Sequence, residues 1–150
     1  MSTRKELRAI DVPSVSVRGK ALKVYTKKVT LTSAQVLALF TTPISLVAAP
    51  GVGSAIVVHR VTGSVDYNSA AYATNTTQEV RYTNEAGTKV AADITSLVTA
   101  TADKFVSVGW IEALTVLTEN AAVVVCNATG NPTAGNSPVS FTVDYSIVAL

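Results

Sequence analysis

Side chains able to act as nucleophiles, bases or metal ligands are few in this sequence. His59 is the only histidine and Cys126 the only cysteine among the 150 residues. A Ser-His-acid triad could be drawn around His59, but no G-x-S-x-G nucleophile elbow accompanies it. One histidine and one cysteine cannot complete a zinc site, and the acidic residues lack the spacing of a calcium loop. We therefore expect a protein that is not an enzyme and that uses no metal or cofactor.

Two further features predict structure rather than chemistry. Cys126 ends the run Ala-Val-Val-Val-Cys, which indicates a small buried residue on a strand, and a single cysteine cannot form an internal disulfide. Gly51-Val52-Gly53 is not followed by the Lys-Ser/Thr of a phosphate-binding loop, so it predicts a tight turn.

Charge is distributed unevenly along the chain. Residues 1–28 contain eight basic and two acidic residues, a net charge of +6, whereas residues 29–150 contain four basic and eight acidic residues, a net charge of −4. A basic arm of this kind can contact nucleic acid, an acidic neighbouring protein or the acidic body of another copy. The residues that we expect to contact a partner are Arg4, Lys5, Arg8, Arg18, Lys20 and Lys23.

The sequence predicts an extended arm over residues 1–20, followed by one domain over residues 21–150. A strand is predicted over 22–31, a short helix near 33–39 capped by Thr32 or Ser33, and strands over 43–49 and 54–67, the last bent at Gly63. Further strands are predicted over 78–83, 104–108, 113–117, 121–127 and 141–149, and residues 93–99 fit either a helical turn or a strand.

About eight short strands separated by Gly, Pro, Asn and Thr turns indicate an all-β domain. The pattern favours a single β-sandwich with a jelly-roll arrangement, and a closed barrel is the competing geometry. No apolar run approaches the roughly 20 residues of a membrane-spanning helix. Because only 15% of the residues are charged, we expect other subunits to cover part of the surface.

Residues 29–58, from Val-Thr-Leu-Thr-Ser-Ala-Gln to Pro-Gly-Val-Gly-Ser-Ala-Ile-Val-Val, resemble a pattern in small structural proteins of tailed bacteriophages. The C-terminal segment 131–150 is similar to the way these chains finish. The resemblance covers about a third of the chain and brings no catalytic residues with it. It implies a capsid decoration, or cement, protein on the outer capsid surface of the virion, bound to the major capsid protein and forming a homo-oligomer, with a trimer favoured.

Two other functions stay open. A tail or head-fibre component with a host- or glycan-binding role predicts an exposed cluster on loops, for which Tyr72, Asn75 and Trp110 are the candidates. A nucleic-acid-binding protein would use the basic arm, but the acidic body argues against it.

Overall fold

Alternation of apolar and polar residues organises this chain into strands, as the computed structural model shows for residues 22–110 and 116–150. The strands are β1 (Tyr25–Leu31), β2 (Ile44–Val47), β3 (Ser54–Val65), β4 (Gln78–Tyr82), β5 (Lys104–Gly109), β6 (Val123–Asn127) and β7 (Val139–Ala149), and the helix is α1 (Ser33–Leu37). The predicted arm, residues 1–20, lies outside the described residues, and with it the predicted division into arm and body. The strand predicted over 113–117 lies largely outside them too, and Val116 and Leu117 are not in a strand.

Two antiparallel sheets carry the seven strands that the described residues form. The larger sheet has the order β1-β7-β3-β5 and the smaller one the order β2-β6-β4. Residues 89–94 run along the free edge of β4, where the amides of Val90 and Ile94 donate to the carbonyls of Val80 and Gln78. Counting this segment gives two four-stranded sheets between which the chain passes back and forth, the strand order of a jelly roll. The all-β sandwich predicted from the sequence is therefore confirmed, and the closed barrel is not what the chain forms.

The core lies between the two sheets. Phe141 and Val143 of β7 and Val123 and Val125 of β6 are fully buried and belong to one apolar cluster. Gly63 is needed on β3 because a Cβ atom there would overlap the buried side chain of Leu97. Strands that alternate in this way stay in register because a slip of one residue would move their apolar side chains to the surface.

A β-bulge interrupts β3 at His59. The register with β7 shifts between Val58 and Arg60, so that Val58 and Val61, three positions apart, are both buried. An unbroken strand would place these two valines on opposite faces. Gly63, where the sequence predicts a bend, stays in regular register with Phe141, and the register shift at His59 was not predicted.

The helix is shorter than predicted and ends at Leu37 rather than residue 39. Thr32 is the N-cap: its hydroxyl accepts from the Gln35 amide at 3.3 Å, and the Gln35 side chain accepts from the Thr32 amide at 2.9 Å. This reciprocal pair satisfies two amides that the first turn would leave unbonded. No helix in the described part of the chain is long and apolar enough to cross a membrane.

Candidate interaction surfaces

The only histidine takes part in a structural contact. His59 Nε2 lies 2.8 Å from the Ser146 hydroxyl, and Ser146 is fully buried between the strands. Asp144 is the nearest acid on β7, but its Oδ1 accepts from the Thr26 hydroxyl at 2.6 Å and its Oδ2 from Arg60 at 2.7 Å. The His59–Ser146 pair therefore links β3 to β7, and its hydroxyl cannot reach a substrate from solvent.

Cys126 is fully buried on β6, as the sequence predicted. Burial raises the pKa of its thiol to about 11, so that the group is protonated and unreactive at neutral pH. Within residues 22–110 and 116–150, no group of three or more histidine, cysteine or acidic side chains is placed to hold a metal ion.

The outer face of the larger sheet carries rows of hydroxyl groups. The registers of β1, β7, β3 and β5 align Lys28, Thr142, Thr62 and Ser107 in one such row. Hydroxyl pairs join neighbouring strands in the adjoining positions, for example Thr30 with Ser140 at 2.8 Å. This face is polar, and its charged residues include Lys28 and the Arg60–Asp144 ion pair.

One end of this sheet, which we call the β1 corner, is exposed and apolar. It consists of Leu22, Val24 and Tyr25 on the β1 side with Tyr145 and Ile147 of β7 beside them. Leu22 and Val24 are 58% and 57% exposed, and the Tyr25 and Tyr145 rings stack with their centroids 5.5 Å apart. The smaller sheet does not cover this end, so its apolar side chains remain at the surface.

Of the six residues expected to contact a partner, only Lys23 is described. Its ammonium group lies 4.9 Å from the centre of the Tyr25 ring, a cation–π arrangement at the β1 corner. The other five, which lie outside the described residues, are Arg4, Lys5, Arg8, Arg18 and Lys20. The sequence does not reveal Leu22 and Val24 as surface residues, because apolar residues that alternate with polar ones in a predicted strand indicate its buried face.

The opposite edge of the larger sheet, which we call the β5 edge, is exposed as well. Phe105 is 68% and Trp110 is 53% exposed. Beside Phe105 lies an open hollow of about 350 Å³ whose lining includes Asp66, Asp103 and Lys104. Sequence reasoning found this strand but not its place at an edge, which depends on strand order. The feature of the sequence that could have indicated an exposed edge available to a partner is the uncharged run Phe-Val-Ser-Val-Gly-Trp.

The β1 and β5 edges of the larger sheet differ in the charged residues that they carry. Arg60 is paired with Asp144, and Lys104 donates to the Ser96 hydroxyl at 3.0 Å. The cations that form no ion pair with another described residue and do not bond a hydroxyl are Lys23, Lys27 and Lys28, all on or next to β1. Asp66 and Asp103 are exposed at the β5 edge. The β1 edge therefore carries three lysines, whereas the β5 edge carries two carboxylates and the ammonium group of Lys104.

A buried ion cluster lies on the outer face of the smaller sheet. The Glu79 carboxylate, 8% exposed, contacts Arg81 and Lys89, each at 2.6 Å, and Lys89 also contacts Asp93 at 2.6 Å. Burial by itself raises the pKa of Glu79, but hydrogen bonds from Lys89 and Arg81 and their charges outweigh it and leave the pKa below its usual value. The cluster stabilises the attachment of residues 89–94 to β4.

The residues proposed for glycan binding do not form an exposed cluster. Tyr72 is 2% exposed, and its hydroxyl donates to the Ser137 carbonyl at 2.6 Å, so its assignment to a binding surface was wrong. Burial raises the pKa of Tyr72 to about 12. Asn75 is exposed, but its side-chain amide is engaged with the Asn131 carbonyl and the Thr129 hydroxyl, which leaves Trp110 as the exposed aromatic residue of the three.

Solved structures similar to this chain include chains of two phage capsids. No family model and no curated protein matches the chain. A chain of the cyanophage Pam1 capsid asymmetric unit is 18% identical, with 84% of each chain covered and a TM-score of 0.47. A chain of the capsid of Ralstonia phage GP4 is 14% identical, with 85% of this chain and 84% of that chain covered and a TM-score of 0.45. Both TM-scores are below 0.5, so what this protein does has to be inferred from its own sequence and surfaces.

Proposed function

We propose that this protein is a virion structural protein of a tailed phage, a decoration or cement protein that binds the major capsid protein on the outer capsid surface. In this role it stabilises contacts between capsid subunits and has no catalytic activity. The observation that carries the proposal is that the exposed apolar residues Leu22 and Val24 of the β1 corner directly follow the basic N-terminal residues in the sequence, so that one stretch offers both apolar area and positive charge to a partner.

The surface composition supports an assembly role. Exposed apolar side chains such as Leu22 and Val24 gain free energy when a partner covers them, at about 25 cal/mol per Å² of apolar area removed from water. Lys23, Lys27 and Lys28 add a positive field around the same corner. A neighbouring protein with an acidic and partly apolar surface matches both properties.

The basic N-terminal residues extend this surface. A chain of 20 residues spans up to about 70 Å when extended, so Arg4, Lys5 and Arg8 could reach across a junction between capsid subunits. Several copies engaging one lattice at once would make weak contacts from each copy sufficient, because each further contact is effectively intramolecular.

Co-sedimentation with decoration-free capsids tests the proposal. We expect the full chain to bind with saturating stoichiometry and a version lacking residues 1–20 to bind much more weakly. A variant with Gln at Arg4, Lys5 and Arg8 keeps the chain length and separates the effect of charge from that of length. We expect it to bind less and to lose most of the salt dependence of binding.

A matched control changes Lys104 to Gln, which removes a positive charge from the opposite edge of the sheet. This variant is expected to bind capsids as the full chain does. Absence of capsid binding by the full chain would overturn the capsid assignment and favour the tail or head-fibre alternative.

A further inference from the structure

The two end strands of the larger sheet are both open to a partner. Among the described residues, β1 pairs only with β7, and β5 pairs only with β3 apart from the bridge between Ala91 and Trp110. The outer edge of β5 is thus unpaired from Lys104 to Val108 in the described part of the chain. Unpaired edges present a row of amide and carbonyl groups that readily accept another strand.

We propose that the β1 edge of one copy pairs with the β5 edge of a neighbouring copy, so that the larger sheet continues from subunit to subunit. This inference deepens the proposed function by naming the surfaces and the partner of its self-association. The partner is a second copy of this chain, bound head to tail.

Strand direction is compatible with this pairing. Each of the three pairs β1 with β7, β7 with β3, and β3 with β5 is antiparallel, so β1 and β5 of one copy run in opposite directions. Placing copies side by side in one continuous sheet therefore sets β5 antiparallel to the neighbouring β1. The two strands also match in length, with seven and six residues.

The rows of the sheet bring complementary residues together. In the row that contains Lys28 and Ser107, a continued sheet places these two side chains of neighbouring copies next to each other. Thr26 and Gly109 lie in another row of the sheet. In the continued sheet, Tyr25, which precedes Thr26, therefore lies beside Trp110 of the neighbouring copy. Exposed Tyr25 of one copy and exposed Trp110 of the next would thereby cover each other.

Charge favours the unlike pair of edges over two like ones. Two β1 edges would bring the lysines at positions 27 and 28 of each copy together, and like charges directly opposite are destabilising. The β5 edge carries no charge from Phe105 to Trp110 and has Asp66, Asp103 and Lys104 at one end, where two negative charges and one positive charge leave a net charge of −1. A head-to-tail contact also occupies both edges of every subunit when the rotation closes into a ring.

Disulfide trapping tests the pairing. In a Lys28→Cys/Ser107→Cys variant the two positions of one copy lie on the outermost strands of the sheet, roughly 14 Å apart at about 4.8 Å per strand. Because a disulfide needs Cα atoms within about 7 Å, a bond between them must join two copies. Cys126 is fully buried and does not compete.

After mild oxidation we expect the double variant to give a ladder of cross-linked species beyond the dimer on a non-reducing gel. Each single variant, and a Glu85→Cys/Ser107→Cys control with its second cysteine on an exposed turn, should remain largely uncross-linked. The unmodified chain should sediment as an oligomer at micromolar concentrations. Ser107→Lys should weaken this association several-fold, and adding Lys28→Glu should restore it, because the introduced charges then attract across the contact.

Other outcomes would overturn the pairing. Dimers of the Ser107→Cys or Lys28→Cys variant alone would indicate that two like edges meet. A monomeric unmodified chain, or an oligomer that the double variant fails to trap, would exclude the continuous sheet. Capsid co-sedimentation is measured separately, so a chain that assembles but does not bind capsids refutes the proposed function and leaves the pairing intact.

Discussion

Replacing the buried carboxylate of Glu79 is expected to destabilise the protein. In Glu79→Gln the contacts from Arg81 Nη2 and Lys89 Nζ, both at 2.6 Å, lose their charged acceptor. Removing one partner of a fully buried pair typically costs about 3–5 kcal/mol. The cost here is smaller because Lys89 keeps Asp93 and Arg81 keeps the Gly87 carbonyl at 2.7 Å. We expect the free energy of unfolding to fall by about 2 kcal/mol.

Urea denaturation at neutral pH measures this change, with Glu85→Gln as the matched control. Glu85 carries the same charge but is exposed on a turn. Its replacement should alter the free energy of unfolding by less than about 0.5 kcal/mol.

Acid should abolish the difference between the unmodified chain and Glu79→Gln. Because folding lowers the pKa of Glu79 below its ordinary value of 4.5, the stability that its charge contributes is complete above that value. That contribution is lost as the pH falls through the lowered pKa of the folded protein. Equal stabilities of the Glu79→Gln and Glu85→Gln variants at neutral pH, or a difference that persists unchanged into acid, would refute this account of the cluster.

The packing of buried side chains leads to further predictions about Cys126, two glycines and Tyr82. Cys126 should react with a thiol reagent only at the rate of unfolding, so labelling in native buffer should be negligible and should rise along the urea transition. Gly135→Ala should cost about 2–4 kcal/mol, because the backbone has a φ of +88° and the added Cβ would overlap the Tyr72 ring. Gly53→Ala, with a φ of +76° and open space around it, should cost only about 1 kcal/mol in the same thermal or urea denaturation. Tyr82→Phe, which removes a hydroxyl that donates to a β3 carbonyl, should lower the free energy of unfolding by about 1–2 kcal/mol.

Local patterns were sufficient to predict most of the secondary structure. The long apolar alternation of β3 and the valine run of β6 both form strands, and the Thr32 cap starts a helix as the sequence indicated. Residues 93–99 were ambiguous for a physical reason. Ile94 bonds to β4 while Ser96 has a φ of +58°, so the segment is half strand and half turn.

Positions that depend on long-range pairing could not be predicted. The bulge at His59 exists because β7 must place its own inward residues against both Val58 and Val61, and nothing local to β3 specifies this. Likewise, the exposure of Phe105 follows from the position of β5 at the end of the sheet. Lys23 could be identified as a surface residue by charge, but its neighbours at the β1 corner depend on where β7 ends.

The N-terminal residues and the sheet edges differ in the distance over which they can contact a partner. A sheet edge acts only on a strand within hydrogen-bonding distance, which restricts it to a partner that fits closely along five or six residues. A basic segment of about 20 residues acts over tens of ångströms and tolerates variable geometry. Pairing between copies through β1 and β5 and attachment to the capsid through Arg4, Lys5 and Arg8 would assign each contact to the feature that suits it. It follows that Ser107→Lys should weaken self-association more than capsid binding by the single copy, and that Gln at Arg4, Lys5 and Arg8 should do the reverse.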